Sequence, residues 1–356
     1  MSAEIAGKII GDGQPAYIVL EAGPTHTGLE SAKKLVDISA DTGVDAIKFQ
    51  MLDVERLMGE KDVIFSYKVL SDKAKNITDT VEEPLYDILK RRVLTKDEWK
   101  ALKLHCDKKK ITFISTAVFP EEVDFLVDEL ETPSIKIASG DINHLPIIRH
   151  VARKGVNIQM DTGSSDLWEI ERAIGAIESE GNKNILIHLC PTGYPARLES
   201  IHLRMITTLK TMFSEYAVAF SDHTPGWEMD IAAVALGANL VEKTITTDRT
   251  IRSCEHMFSL EPHEVRRFVS SIRELEIALG TFRRTIPDEA KKGRLKVRRS
   301  IFLTKEMDAG NVLRIENIDF RRPGYGIGPD EINYVIGKRL KRKVGKDEML
   351  RWEDIC

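Results

Sequence analysis

From the start of the chain to about residue 280, short runs rich in Val, Ile, Leu and Phe alternate with longer stretches whose apolar residues recur at helical spacing. That alternation is the signature of repeated βα units feeding a parallel sheet, whose strands are buried on both faces and so read as unbroken apolar runs. Eight strands are predicted, at Tyr17–Ala22, Asp45–Gln50, Thr112–Thr116, Ser134–Ala138, Val156–Asp161, Asn184–Leu189, Ala217–Ser221 and Asn239–Thr244. Amphipathic segments such as Ser31–Thr42, Lys96–Lys109, Leu167–Glu180 and Met229–Leu236 supply helices between them. Eight such units close a (β/α)8 TIM barrel.

Two stretches break the rhythm. Residues 51–80 are polar, charged and too long for an ordinary βα connection, which suggests a lid or substrate loop, or else a surface insertion. Around Gly280–Gly293 the pattern gives way to basic residues with Pro287 and Gly293, the marks of a linker. From Lys296 onward short strands and turns are punctuated by Gly310, Pro323-Gly324-Tyr325-Gly326 and Gly345. The expected division is a barrel over 1–282, a linker over 283–295 and a compact, mainly β module over 296–356.

Composition narrows the function classes. No apolar run approaches the roughly 18 residues of a membrane span, and Met1-Ser2-Ala3-Glu4 lacks the basic-then-apolar pattern of a signal peptide, so a cytoplasmic protein without a membrane partner is expected. Cys106, Cys190, Cys254 and Cys356 form no CxxC pair and read as reduced thiols without assigned chemistry. Residues 282–356 hold 19 Lys and Arg against 12 Asp and Glu, so of the net charge of −4 this tail carries +7 and the body −11. The tail has no aromatic stacking run and no nucleic-acid motif; a solvated basic face drawn to an acidic body or partner is expected, not nucleic-acid binding.

In a barrel of this kind chemistry belongs at the C-terminal ends of the strands. Nearly every predicted strand ends on a polar group there: Glu21, Lys48 and Gln50, Ser115-Thr116, Lys136 and Ser139, Asp161-Thr162, Thr192 and Tyr194, Asp222-His223, and Glu242-Lys243-Thr244. Lys48 and Lys136 beside Thr116 and Ser139 offer the fixed charge and donors that a small phosphate- and carboxylate-bearing substrate requires, although each lysine alone could serve a salt bridge. His223 could bind a divalent metal or be structural. A strand-end charge adds little to a core, so Lys136→Ala is expected to abolish turnover and leave the fold intact.

These residues resemble the sialic acid synthase family, which includes the pseudaminic, legionaminic and spore-coat polysaccharide synthases. The matching runs are Glu21-Ala22-Gly23, His26-x-Gly28, Lys48-Phe49-Gln50, Phe113-Ile114-Ser115-Thr116, Lys136-Ile137-Ala138-Ser139-Gly140-Asp141, Tyr194-Pro195, Ser221-Asp222-His223-Thr224, Ala232–Gly237 and Ser259-Leu260-Glu261-Pro262. Arg321-Arg322-Pro323-Gly324-x-Gly326-Ile327 and Gly337-Lys338 look like the family's antifreeze-like (SAF) module. The resemblance implies that Lys48, Thr116, Lys136 and Ser139 hold phosphoenolpyruvate, that Glu21 and Gln50 border the reacting carbons, and that Tyr194 helps hold a sugar aldehyde. Asp141, Asp161, Thr192 and Glu255 fall at further substrate-binding positions. It also implies a divalent metal, Mn or Mg, that polarises the aldehyde, and a domain-swapped homodimer in which Arg322 reaches the sugar's acyl-amino group over the partner's barrel.

Two departures stand out. Thr244 replaces the usual second metal-binding histidine, which leaves His223 as the one histidine ligand, so three outcomes stay open: a weaker metal, one held by another group such as Glu255 or His256, or none. Asp161 stands where the family commonly has serine, and a carboxylate there repels an anion unless it is protonated or paired. Two other readings stay open: a lyase or aldolase using Lys48, Lys136 or Lys243 as a Schiff base, and a catalytically silent sugar-binding relative.

Overall fold

Eight parallel strands close a barrel in the computed structural model, which describes residues 2–356. Around the barrel run β3 (Tyr17–Glu21), β4 (Ala46–Gln50), β7 (Thr112–Thr116), β8 (Ser134–Ile137), β9 (Asn157–Asp161), β10 (Ile185–Leu189), β11 (Ala217–Asp222) and β12 (Leu240–Thr244). Each lies within one residue of its predicted bounds. Helices α1 (Leu29–Ala40), α4 (Lys96–Lys109), α6 (Leu145–Arg153), α7 (Leu167–Glu178), α8 (Met205–Met212), α9 (Glu228–Ala235) and α10 (Pro262–Leu279) intervene or follow. Helix α4 shows why the pattern was readable. Thr95 and Glu98 form a capping box at its start, and Lys110 takes a left-handed cap at its end. Its buried Trp99 meets Phe49 and Phe113 at 6.2 Å each, and those two rings stack at 5.9 Å. Such pairs add about 1 kcal/mol each beyond their burial.

Alternate strand residues point inward, so the barrel interior is layered. The lower layer is apolar: Tyr17, Val19, Ala46, Ile114, Leu186, Ala217, Ala219 and Leu240 pack together with Ala3, Ile5 and Ile10. The last three come from a hairpin of β1 (Ser2–Ile5) and β2 (Lys8–Gly11), absent from the sequence reading, which plugs the N-terminal end of the barrel. The upper layer is polar and forms the site.

The stretch 51–80 is not an irregular loop. It contains α2 (Val54–Leu57) and most of an antiparallel ribbon, β5 (Ile64–Asp72) against β6 (Ile77–Pro84), which leads into α3 (Leu85–Lys90). Tyr67, Val69 and Val81 bury one face with Ile88 and Cys254, while the other face is exposed and polar, which masked the strand signal.

Residues 280–356 form a second unit. The stretch expected as a linker carries α11 (Asp288–Val297), which buries no residue. Beyond it, β13 (Ser300–Leu303) pairs with β14 (Ile318–Arg321), and isolated bridges such as Met307 with Val344 and Leu340 with Ile355 tie the rest. A short α12 (Ile332–Val335) completes it, around a core that includes Ile301, Leu313, Ile327, Val335 and Leu350.

Candidate active site

The inward residues at the C-terminal strand ends surround a cavity of about 320 Å³. Of the residues singled out from sequence, Glu21, Lys48, Gln50, Thr116, Ser139, Asp141, Asp161, Tyr194, His223 and Glu255 line it. Gly23 lets the first loop pass close over this layer: a Cβ there would lie 2.6 Å from Gln50 Cγ and 2.7 Å from Glu21 Oε1, and its N–H donates to Glu21 Oε1 at 2.6 Å. Thr192 is exposed and does not line the cavity, and Arg322 lies exposed in the second unit.

Charges in the upper layer are tightly paired. Lys48 bonds Glu21 and lies 3.2 Å from Glu242 Oε1. Lys48 also lines the cavity, so a ligand there meets its ammonium group. Lys136 is fully buried, with Nζ 2.9 Å from Glu242 Oε2, 3.0 Å from Asp161 Oδ1, 3.1 Å from His188 Nδ1 and 3.2 Å from Ser221 Oγ. Three ammonium protons face four acceptors, so Lys136 has none to spare and is absent from the cavity wall. This corrects the expectation that Lys136 grips phosphate directly. The same pairing argues that the fold depends on Lys136, because its loss would strand buried carboxylates. Asp161, which also accepts from Ser221 Oγ at 3.0 Å, is a paired carboxylate and not a lone repulsive one. Lys243 faces out of the barrel interior and bonds Asp222 and the Thr224 carbonyl.

The same layer pushes two carboxyl groups apart. Burial raises Glu21 above its ordinary value, Lys48 opposes that, and Glu242 adds to it. Glu242 is also buried, but Lys136 and Lys48 together outweigh desolvation and hold it below the usual carboxylate range. Glu21 is therefore the readier proton carrier of the two, and Glu242 the fixed anion. Lys48, despite burial, is held above the usual lysine value by Glu21, Glu242 and Asp161. Across the cavity, burial pushes Glu255 up to about 7, only partly offset by Arg92.

Apolar residues from the insertion form one wall: Leu52, Leu57, Phe65, Leu85, Ile88 and Leu89, with Val118 beside them. Tyr194 bridges wall and layer, 5.7 Å from the Phe65 ring and stacked 4.9 Å from His223. Sequence reasoning missed this wall, as well as Arg92, Cys190, Cys254 and a place for Glu242 among the site residues. Arg92 sits in the turn after α3, one of three consecutive cations, and the sequence carried no signal that singled it out.

A metal was the other expectation. His223 lines the cavity, its Nδ1 is buried without a partner, and burial lowers its pKa, so the imidazole is in the neutral form that binds metal. Asp161 and Glu255 line the same cavity, whereas Thr244 does not, and His256 Nδ1 lies 2.7 Å from Thr246 Oγ1 outside it. Among the described residues, three ligating atoms within 4.8 Å of one another occur at Glu261, His263 and Glu264, away from the cavity. His223, Asp161 and Glu255 are donor types that Mn or Mg accepts, but among the described residues their ligating atoms do not converge within 4.8 Å of one another, and Asp161 is already engaged by Lys136 and Ser221.

Comparison with known proteins gives the architecture a family. Residues 35–284 match the NeuB family and residues 298–355 the SAF domain. The N,N'-diacetyllegionaminic acid synthase of Campylobacter jejuni is 33% identical over 337 residues, 94% of this chain and 98% of that one. The crystal structure of the Bacillus subtilis spore coat polysaccharide biosynthesis protein SpsE superposes with a TM-score of 0.66 at 30% identity, covering 100% of this chain and 99% of that one. The N-acetylneuraminic acid synthetase of Leptospira borgpetersenii, solved with citrate, gives a TM-score of 0.71 at 27% identity over 82% of this chain and 94% of that one. An eight-stranded parallel barrel with a polar upper layer, followed by a SAF domain, thus places this chain in the NeuB family of sialic-acid-type synthases.

Proposed function

We propose that the chain condenses phosphoenolpyruvate with an open-chain sugar aldehyde, an N-acyl amino sugar, to give a nonulosonic 2-keto acid and phosphate. The observation that carries this is Lys48, ion-paired with Glu21 and Glu242, in the wall of a cavity that also presents the Thr116 and Ser139 hydroxyls. In the reaction, C3 of the enol ester bonds to the aldehyde carbon, whose oxygen takes a proton, and C2 becomes cationic. Water adds to C2 and loses a proton, and the C2–O bond to phosphate breaks to leave the ketone. Lys48, Thr116 and Ser139 hold the anionic ends of phosphoenolpyruvate. Glu242, kept ionised by two lysines, faces the C2 cation, and Glu21 carries the proton. A divalent ion held by His223 with Asp161 or Glu255 would supply Lewis acidity toward the aldehyde oxygen. In a homodimer with exchanged SAF domains, Arg322 of the partner subunit would meet the acyl-amino group.

Schiff-base chemistry fits poorly. Lys48 is held protonated by carboxylates, Lys136 has every donor engaged, and Lys243 points away from the interior. Incubation with phosphoenolpyruvate, Mn²⁺ and a panel of N-acyl hexosamines in 18O-water tests the proposal. Phosphate release should need both substrates, and the released phosphate should carry no label. Labelled phosphate, or release without an acceptor, would mean that the reaction is a hydrolysis at phosphorus.

A further inference from the structure

Lys48 and Lys136 are both matched by carboxylates within ion-pair distance, and Arg92 is not. Only 7% exposed, it has no acidic partner within 4.0 Å among the described residues. Its single hydrogen bond runs from one terminal NH2 to Gln50 Oε1 at 3.3 Å. Nε is buried without a partner. The second terminal NH2 makes no side-chain hydrogen bond either, and Arg92 lines the cavity. Burying a guanidinium is costly unless an anion meets it, and a site keeps such a group where a ligand will complete it. Guanidinium is suited to carboxylate and phosphate oxygens because it offers several donors in one plane.

Position indicates which substrate brings the anion. Arg92 follows α3 beside the apolar wall of Leu85, Ile88 and Leu89, and its charge acts on His26, Cys254, Glu255 and His256. Thr116, Ser139 and Lys48, proposed to hold phosphoenolpyruvate, belong to β4, β7 and the turn after β8. The low-dielectric wall around Arg92 strengthens a charge contact made there.

We propose that Arg92 determines specificity by binding an anionic group, a carboxylate or a phosphate monoester, on the far end of the acceptor aldehyde. The proposal rests on the condensation reading for the identity of the acceptor. Gln50, anchored to the same guanidinium, then couples the grip on that end to the region next to the reacting carbons.

Initial rates of phosphoenolpyruvate consumption test it, using the full-length protein with N-acetylmannosamine, its 6-phosphate and the corresponding uronic acid. At least one charged acceptor should show a KM tenfold or more below that of the neutral sugar. Arg92→Gln should raise the KM for that acceptor about tenfold to a hundredfold, leave the KM for phosphoenolpyruvate within about twofold, and Arg92→Lys should recover part of the loss. Equal KM values for charged and neutral acceptors, or an Arg92→Gln variant that lowers kcat alike for all three, would overturn the assignment. Should no acceptor support consumption, the condensation reading fails instead. Calorimetric titration of the wild type and both variants with the 6-phosphate and the uronic acid then decides Arg92: binding lost in Arg92→Gln and kept in Arg92→Lys supports it, and binding indifferent to the substitution, or none by the wild type, refutes it.

Discussion

Replacing Lys136 by methionine keeps the length of the side chain and removes its charge. In the wild type the ammonium sits 2.9 Å from Glu242 and 3.0 Å from Asp161, with all three groups largely or wholly out of water. Removing one partner of a buried ion pair costs about 3–5 kcal/mol, because a carboxylate is left desolvated without its counter-charge. Glu242 keeps Lys48 at 3.2 Å and Asp161 keeps Ser221 at 3.0 Å, which places the expected loss toward the lower end. Urea unfolding, followed by fluorescence of the buried Trp99 in the barrel, measures it. Lys136→Met/Glu242→Gln should regain at least about 1 kcal/mol over the single variant, since the stranded charge is gone. The pH dependence has a definite sign. Burial raises the Glu242 pKa, and Lys136 and then Lys48 lower it by more, so its folded value lies below the ordinary 4.5. The stabilisation is therefore complete above pH 4.5 and is lost as pH falls through the folded value. The gap between wild type and Lys136→Met should accordingly be widest near neutrality and narrow in acid. A loss below about 1 kcal/mol, or one that does not change with pH, would refute the account of Lys136 as the electrostatic keystone of the upper layer.

Glu255, raised by burial to about 7, titrates in the working range. Because its folded pKa is raised, it favours the folded state below about pH 4.5 and that contribution disappears as pH rises through about 7, on the order of 1–3 kcal/mol in all. Thermal melts from pH 5 to 8 should show the wild type weakening more steeply than Glu255→Gln, and parallel curves would place the proton elsewhere. His223→Ala should abolish a thermal shift on adding Mn²⁺, and a full shift in that variant would move the ion to other ligands. Phe65→Ala, which opens the apolar wall, should raise the acceptor KM roughly tenfold while the KM for phosphoenolpyruvate stays put. Equal effects on both substrates would make the wall a general support, not an acceptor surface.

The barrel was legible because its strands obey one rule: parallel and covered on both sides, they are written as apolar runs that end where the mouth begins. Lys48, Thr116 and Asp161 could be placed on that rule alone. The β5–β6 ribbon was not legible, because its few buried residues, Tyr67, Val69, Leu70 and Val81, are scattered among exposed polar ones such as Lys68, Asp79 and Glu82. The pairing of Lys136 was hidden for a different reason. Its partners Asp161, His188, Ser221 and Glu242 come from four other strands, and only closure of the barrel brings them together. Arg92 looked like one charge in the run Lys90-Arg91-Arg92, and a linear pattern does not tell which of three neighbouring cations turns inward.

The hairpin of β1 and β2 gives the enzyme a blind-ended chamber. With Ile5 and Ile10 lodged among the lower barrel residues, the described residues close the floor beneath the polar layer. Everything that enters must leave by the same doorway. For the condensation proposed above, a floor closed in this way predicts that the reactant seated deepest binds first and its remnant leaves last.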